Sequence, residues 1–277
     1  MSTADYPQAP PVYEADRPPA GSSKGYGAAD PLLASAVPSG PSNSWADMPE
    51  DEIEDFKYGS SVASSSIQIR QAFIRKVYSV LFAQICATTI IGASLRMANA
   101  QTYIAQNSWV FWVPFAGSIA SMLALFYKRQ SYPANVALLS VFTVFESFSV
   151  GSVVTFYDSK IVLQALVITS FVFLGLTLFA MQTKYDLSSM GGVLYTMLIS
   201  FVFIGLVSIF FPFSRVIDAV YAGFGTLLFS AYILYDTYMI CNRLSPDEWV
   251  LAVVSLYLDI LNLFLSLLRL LNSTQDR

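Results

Sequence analysis

Two aspartates lie inside the last two hydrophobic segments of the chain, Asp236 in one segment and Asp259 in the next. A carboxylate near the centre of a bilayer costs on the order of 3 kcal/mol, so a residue of this kind marks a functional site by default. If the two carboxyl groups face each other, they would hold a proton near neutral pH and titrate as a coupled unit. Once deprotonated, they and Asn262 would offer Ca²⁺ the oxygen ligands that it prefers. The two residues therefore predict a pH-sensitive ion site.

The composition makes these carboxylates the leading pH-responsive groups. The chain has no histidine, which excludes an imidazole switch, a Ser-His or Cys-His catalytic unit and a histidine-bearing metal site. The two cysteines, Cys86 and Cys241, fall in or at the edge of different hydrophobic segments and are interpreted as buried thiols. We expect no cofactor, with Ca²⁺ present only as a bound or transported ion.

The last hydrophobic segment carries a stripe of polar residues along one helical face. Its members are spaced 4, 3, 4 and 3 residues apart, and they are Ser255, Asp259, Asn262, Ser266 and Arg269. In a membrane such a stripe must turn toward the bundle interior or toward a water-filled path. We interpret it as pore-lining. For the two serines alone, interhelical hydrogen bonds worth about 0.6 kcal/mol each would be a sufficient explanation.

Glu146 is a third acid within a hydrophobic segment, and hydroxyl residues and a glycine lie close to it in sequence. A pore-lining carboxylate and a hydrogen-bonded structural group fit this pattern equally well. Asp218 precedes Asp236 by 18 residues, about 27 Å along one helix. It is therefore interpreted as a boundary charge at the opposite interface.

Long apolar runs must position these residues. Of the 277 residues, 55% are hydrophobic and only 12% are charged, roughly half the charged fraction of a soluble protein. Seven runs can each cross ~30 Å of hydrocarbon at about 1.5 Å per residue. The predicted spans are 77–95, 109–127, 135–157, 161–181, 191–211, 216–241 and 249–271. The sequence thus predicts an all-α polytopic membrane protein with a seven-helix domain at 67–277, whose short loops leave no room for a soluble catalytic domain.

Basic residues favour one side of the predicted bundle. Seven basic residues lie on the side of the N-terminus, namely Arg70, Arg75, Lys76, Lys128, Arg129, Lys184 and Arg243. Three lie on the other side, namely Arg96, Lys160 and Arg215. Positive charge favours the cytosolic side, so the N-terminus is predicted to be cytosolic. The side of the C-terminus stays open, because the last segment could enter and return. A net charge of −4 argues against a nucleic-acid partner, and the expected surroundings are the lipid bilayer.

Residues 1–66 are rich in Pro, Ser, Gly and acidic residues, which predicts a disordered cytosolic tail. Within it, Pro10, Pro11 and Tyr13 form a PPxY element. Such a segment docks on the aromatic groove of a WW domain, with the tyrosine supplying the specific contact. A WW-domain ubiquitin ligase is the partner that this element indicates, and a solvated Pro-rich linker is an equally good explanation.

The stretch Tyr232-Ile233-Leu234-Tyr235-Asp236, followed by Leu256 to Phe264, resembles the Bax-inhibitor/Lifeguard family. The likeness covers Phe73 to Leu271, and Arg75-Lys76-Val77-Tyr78 together with the Pro-rich tail is similar to the Lifeguard branch. The resemblance implies a seven-helix bundle with the last helix central, in which the two aspartates form a pH-sensitive pair that controls a Ca²⁺ leak.

The resemblance also implies a basic partner for the first aspartate. A basic residue after the second span, here Lys128 or Arg129, would pair with Asp236 when the path is shut. Residence in the endoplasmic reticulum or another endomembrane such as the Golgi or vacuole, suppression of cell death, and contacts with cell-death regulators follow from the resemblance alone.

Three other classes compete with an ion leak. Intramembrane aspartyl proteases share the Tyr235-Asp236 pattern, but they require Gly-x-Gly before the second aspartate, where this chain has Leu256-Tyr257-Leu258. We therefore expect no enzyme. A proton-coupled transporter also uses acids within helices. A scaffold that binds apoptosis regulators would make the aspartates dispensable. A retinal-type photoreceptor is excluded, because the last span has no lysine.

Overall fold

A computed structural model describes residues 62–275 of the chain. These residues form seven long helices and no strand, which confirms the predicted all-α bundle, and each helix is long and apolar enough to cross a membrane. Helices suit this environment because they satisfy their backbone hydrogen bonds internally. The helices are α1 (Ile67–Met97), α2 (Trp109–Lys128), α3 (Ala134–Val154), α4 (Ser159–Gln182), α5 (Gly191–Phe210), α6 (Arg215–Asn242) and α7 (Trp249–Gln275).

Helix α1 begins ten residues before its predicted start at residue 77. The Ser66 hydroxyl caps it by accepting a hydrogen bond from the Ile69 N–H at 3.4 Å. Phe73 and Val77 are buried in the bundle core, so this first part of the helix is held by packing although polar residues interrupt its hydrophobic run. A six-residue helix, Gln101–Gln106, joins α1 to α2 and was not predicted.

The last part of the predicted tail, residues 62–66, is described and contacts the helical bundle. Val62–Ser64 form a short 3₁₀ turn, and the Val62 N–H donates to the Leu244 carbonyl oxygen at 2.9 Å. The Val62 side chain is fully buried. The rest of the predicted tail, including the PPxY element at Pro10, Pro11 and Tyr13, lies outside the described residues.

Helix α7 is the central helix of the bundle. Within an apolar stretch of 18 residues, 72% of the residues of α7 are buried, whereas the corresponding fraction is 6–44% for the other six helices. It packs against α6, α4, α1 and α3. The expectation of a central last helix is therefore confirmed, and this placement keeps a helix with one polar face away from lipid.

Helix α7 runs through the whole depth of the bundle and does not turn back. Near its end, Arg269 forms an ion pair with Asp218, which lies in the first turn of α6. Gln275 donates through Nε2 to Oε1 of Gln164 near the start of α4, at 2.6 Å. The end of α7 thus lies beside the starts of α4 and α6, as a crossing helix requires.

The ends of the helices define two sides of the bundle. We call the side with Val62, Arg129 and the turn at 243–248 the near side, and the side with Arg96, Asp218 and Gln275 the far side. On the near side, Arg243 pairs with Asp186 at 2.9 Å and Arg129 with Glu248 at 3.6 Å. The two sides match the predicted grouping of basic residues, and the cytosolic location of the near side stays a prediction.

Helices α6 and α7 approach closely at Gly225. A Cβ atom at this position would lie 2.7 Å from Oγ of Ser266 on α7 and 2.9 Å from the ring of Phe201 on α5. Only a residue without a side chain lets the polar stripe of α7 lie this close to α6. Two residues earlier, a Cβ atom at Gly223 would meet nothing within 4 Å.

We predict that Gly225→Ala lowers the free energy of unfolding by about 1–3 kcal/mol, because the added methyl group overpacks the contact between α6 and α7. Denaturant unfolding of the purified protein in detergent micelles measures this change. Gly223→Ala is the matched control and should be neutral or slightly stabilising, since alanine favours the helix. Equal destabilisation by both variants would contradict the close-approach explanation.

Candidate functional site

The polar stripe of α7 faces α6. Because the two helices are antiparallel and joined by a short turn, residues before that turn on α6 meet residues after it on α7. The carboxyl group of Asp236 interacts with the side chains of Asp259 and Ser255. The structure thus brings together the two aspartates singled out by sequence, and we call them the aspartate pair.

The pair occupies an environment that few carboxylates tolerate. Asp259 is only 6% exposed, and its Oδ2 atom is buried with no hydrogen-bond partner in the described part of the chain. Asp236 is half-buried and lies about nine angstroms of helix below the end of α6. Two adjacent ionised carboxylates would repel each other here, and little water would screen them. A shared proton or a bound cation relieves that repulsion.

Two of the remaining stripe residues, Ser266 and Arg269, also contact α6. Ser266 lies against Gly225, and Asn262 donates through Nδ2 to the Leu258 carbonyl oxygen of its own helix at 2.8 Å. Arg269 donates through Nε to Oδ1 of Asp218 at 2.7 Å. We call the contacts of Ser255, Asp259, Ser266 and Arg269 with α6 the polar seam, and the aspartate pair lies in its near-side half.

Arg269 and Asp218 close the far end of this seam. The side chains are 33% and 26% exposed, and the guanidinium also lies over the Tyr221 ring, 4.9 Å from its centroid. Asp218, interpreted from the sequence as a boundary charge, indeed lies at the far side, where it is the partner of Arg269. Arg269 thus has a structural partner at the far side, and its pore-lining role stays a prediction.

Glu146 belongs to a different part of the bundle. It lies on α3, is half-buried, and interacts with the Ser118 hydroxyl on α2. Its neighbour Ser147 faces α1 and α7 instead. The structure does not bring Glu146 to the aspartate pair, and both interpretations of this residue, as a pore-lining carboxylate and as a hydrogen-bonded group, stay predictions.

The two basic residues after α2 have partners other than Asp236 in this structure. Arg129 pairs with Glu248 on the turn before α7, and the Lys128 ammonium lies 5.5 Å from the centroid of the Tyr127 ring. Arg129 therefore ties α2 to the segment that leads into the central helix. The pairing of either residue with the first aspartate stays an expectation for another state of the protein.

Sequence reasoning missed a network of buried hydroxyl and amide groups. Gln84 donates through Nε2 to Oγ1 of Thr143 at 2.6 Å, and Thr88 shares hydrogen bonds with Ser147 at 2.9 Å and with the Tyr257 hydroxyl at 2.7 Å. The pattern that could have found it is a repeated four-residue spacing, Gln84 with Thr88 on α1 and Thr143 with Ser147 on α3. This spacing places each couple on one helical face.

The donor set at the aspartate pair is too small to hold a metal ion by itself. The described residues contain no group of three or more His, Cys, Asp or Glu side chains placed to hold a metal ion. Two carboxylates and the Ser255 hydroxyl leave most of the six to eight oxygen positions of Ca²⁺ to backbone carbonyls and water.

The sequence is similar to proteins of one family over most of its length. A sequence model described as "Inhibitor of apoptosis-promoting Bax1" matches residues 70–276. The chain belongs to the Bax inhibitor family. This confirms the resemblance, because the matched region contains all seven helices apart from the first three residues of α1.

Three relatives show how far the similarity extends. Protein lifeguard 4 of Mus musculus is 44% identical over 231 residues, which cover 83% of this chain and 97% of the mouse protein. Bax inhibitor 1 of Schizosaccharomyces pombe is 38% identical over 247 residues, covering 89% and 93%. The Golgi anti-apoptotic protein of Vaccinia virus (strain Lister) is 43% identical over 225 residues, covering 81% and 94%. The family description and the viral name both refer to the prevention of apoptosis.

We predict that Arg269→Gln lowers the free energy of unfolding by about 1–2 kcal/mol, since it leaves Asp218 without its charged partner in a partly buried site. Asp218→Asn should cost a similar amount, and the double variant should cost less than the sum, which a double-mutant cycle measures. The matched control is Arg243→Gln, which removes the more exposed ion pair to Asp186 and should hardly change the unfolding midpoint. Additive costs for Asp218 and Arg269 would show that the pair is not coupled.

Proposed function

We propose that this Bax inhibitor family member is an endomembrane Ca²⁺ leak channel, that the proton occupancy of the aspartate pair controls it, and that it acts through organelle calcium to suppress cell death. The observation that carries the proposal is the contact between Asp236 and Asp259 beside the buried central helix. The cell-death role extends the family description to this chain. The endomembrane location extends the name of the viral relative.

The aspartate pair can couple pH to cation binding. At low pH both carboxyl groups are protonated and neutral, and a divalent cation gains little from them. As the pH rises, first one and then the other proton leaves, so the charge of the pair goes from zero to −2 and its attraction for Ca²⁺ grows. Ca²⁺ and protons therefore compete for the same oxygens, and the pH response follows from that competition.

The same contact weighs against the alternatives. A scaffold needs no buried acidic pair. Hydrophobic residues would pack α6 against α7 at a lower cost in free energy. A protease needs room at the pair for a peptide backbone, and the segment before Asp259 is packed, with Leu256 and Tyr257 fully buried. The proposal is accordingly for a protein that is not an enzyme. A proton-coupled transporter is the second candidate, since it would use the same competition between proton and cation.

Calcium flux tests the channel proposal. We predict that the protein in proteoliposomes releases Ca²⁺ at a rate that changes between pH 5 and pH 8, by at most about tenfold per pH unit if one proton controls it. Asp236→Asn and Asp259→Asn each remove one titrating group, so both variants should lose most of this pH dependence. They should also lose the rise in Ca²⁺ binding that accompanies rising pH. Flux and pH response equal to those of the parent in both variants would refute the proposal.

Asp186 provides a matched control for pH. Hydrogen bonds from Ser188, and a further one from the Tyr238 hydroxyl, hold the pKa of Asp186 at about 2, below its ordinary value of 3.8. Its stabilising contribution is therefore complete above pH 3.8 and is lost only as the pH falls toward 2. Asp186→Asn should leave the flux response between pH 5 and pH 8 unchanged, because the wild-type carboxylate does not titrate there.

The tail contributes a separate proposal about partners. Pro10, Pro11 and Tyr13 supply the residues by which a WW-domain ubiquitin ligase would hold this protein. Calorimetric titration of a peptide of residues 1–20 against a panel of WW domains should detect binding that Tyr13→Ala abolishes. Absence of binding to every domain in the panel would remove this partner from the proposal and leave the channel unaffected.

A further inference from the structure

Two cavities enter the bundle from opposite sides along α1. The near-side cavity, of about 810 Å³, lies among α1, α3 and the turn before α7, and its wall includes Lys76, Gln84, Ala87, Arg129, Thr143 and Trp249. From Lys76 to Ala87 it follows eleven residues of α1, about 16 Å, which is roughly half the hydrocarbon thickness. The cavity is therefore deep enough to bring water from the near side to the middle of the membrane.

The far-side crevice, of about 530 Å³, lies among α1, α3, α4 and α7. Arg96 lines its outer end, Phe82 lies at its other end on α1, and Thr88 lies on its wall between them, which is otherwise mostly apolar. The Arg96 guanidinium donates to the carbonyl oxygens of Val154 and Tyr157, at 3.2 and 2.6 Å, so it is held at the end of α3. Along α3, the cavity reaches Val144 and the crevice begins at Val150, six residues or about 9 Å further on, whereas along α1 the two overlap between Phe82 and Ala87.

The buried network described above fills this gap, and we call it the polar layer. It consists of Gln84, Thr88, Thr143, Ser147 and Tyr257. Gln84 and Thr143 face the near-side cavity, Thr88 faces the far-side crevice, and hydrogen bonds among the members link the two. The two openings are thus separated by a single layer of uncharged oxygen and nitrogen atoms.

One atom of the polar layer has no partner. Gln84 is 5% exposed, and its Oε1 atom is buried without a hydrogen bond in the described part of the chain. A buried carbonyl oxygen of this kind is an unused acceptor, and its burial is costly unless a cation or a water molecule meets it. With the hydroxyl oxygens of Thr143, Thr88, Ser147 and Tyr257, it offers neutral oxygen ligands in the place of water around a cation.

The polar layer lies on the opposite face of α7 from the aspartate pair. Tyr257 and Asp259 are two residues apart, which is about 200° around a helix. Tyr257 contacts α1 and α3, whereas Asp259 contacts α6. Helix α7 therefore separates the two polar sites, and a movement of α7 affects both.

We propose that the polar layer is the constriction of the cation path, that the path runs from the near-side cavity between α1, α3 and α7 to the far-side crevice, and that the aspartate pair controls it from the opposite face of α7. This inference rests on the proposed leak of Ca²⁺ and specifies where the ion passes. A cation crossing the layer exchanges part of its water shell for the five side chains. The aspartates set the position of α7 and do not line the path.

The first experiment replaces hydroxyl groups by groups of similar shape. In proteoliposomes, Thr88→Val combined with Ser147→Ala should lower Ca²⁺ flux at least tenfold, because an apolar layer excludes water and ions, and Tyr257→Phe alone should lower it severalfold. These variants of the polar layer should retain the parent's ratio of the flux at pH 5 to the flux at pH 8. The matched control combines Thr226→Val with Ser149→Ala, whose hydroxyls donate to carbonyls of their own helices, and its flux should equal the parent's.

The second experiment tests water access without altering the layer. In a Cys86→Ser, Cys241→Ala background, Ala87→Cys places a thiol on the wall of the near-side cavity. A membrane-impermeant charged thiol reagent added on the near side should modify it and block the flux. Ser189→Cys, on the exposed loop before α5, should also be modified but should conduct normally.

The outcomes separate this inference from the proposed function. Normal flux in the layer variants, together with a lost pH response in Asp236→Asn, would overturn the path and leave the pH-controlled leak in place. Unhindered flux after modification of Ala87→Cys would overturn the path as well. A parent protein without Ca²⁺ flux would overturn the proposed function and this inference with it. Loss of flux in the layer variants with intact controls would support the path.

Discussion

The polar stripe of α7 has to be kept away from lipid, and the other helices are arranged around that requirement. An aspartate, an asparagine and an arginine along one face of a 27-residue helix would be expensive against hydrocarbon. Placing α7 in the middle of the bundle removes the contact with lipid, and turning its stripe toward α6 gives the polar groups partners. Gly225 allows the two helices to come close enough for this seam to form.

The opposite face of α7 meets a second polar system of another chemical kind. The seam toward α6 contains charges, the aspartate pair and the ion pair of Arg269 with Asp218, whereas the layer toward α1 and α3 contains only hydroxyl and amide groups. Charged groups bind protons and cations strongly, and neutral oxygens bind cations weakly enough to release them. The central helix thus carries charged groups on one face and a neutral polar layer on the other.

Contacts at the near side hold the start of α7 in place. Arg129 on α2 pairs with Glu248, and the Lys76 ammonium on α1 lies 3.9 Å from the centroid of the Trp249 ring. The Val62 N–H donates to Leu244 in the same turn. These contacts join the first helix, the second helix and the chain before α1 to the segment that enters the central helix.

The sequence by itself determined the class of the fold and identified the charged residues whose burial costs free energy. Seven apolar runs fixed most helices nearly to their ends, because crossing the hydrocarbon requires about 20 apolar residues and backbone groups must be satisfied internally. The start of α1 was misjudged, since its polar first turns are held by packing of Phe73 and Val77 rather than by hydrophobicity. Periodicity alone placed the five stripe residues on one face.

Only the tertiary structure decided which of these residues meet. Asp236 lies six residues before the end of α6 and Asp259 ten residues after the start of α7, and helix tilt and the shape of the turn decide whether such residues touch. The partners of Arg129 and Arg269 depended in the same way on loop geometry. The polar layer joins residues from α1, α3 and α7 up to 169 positions apart. Its members are ordinary Gln, Thr, Ser and Tyr residues, and they become a site only because packing buries them together.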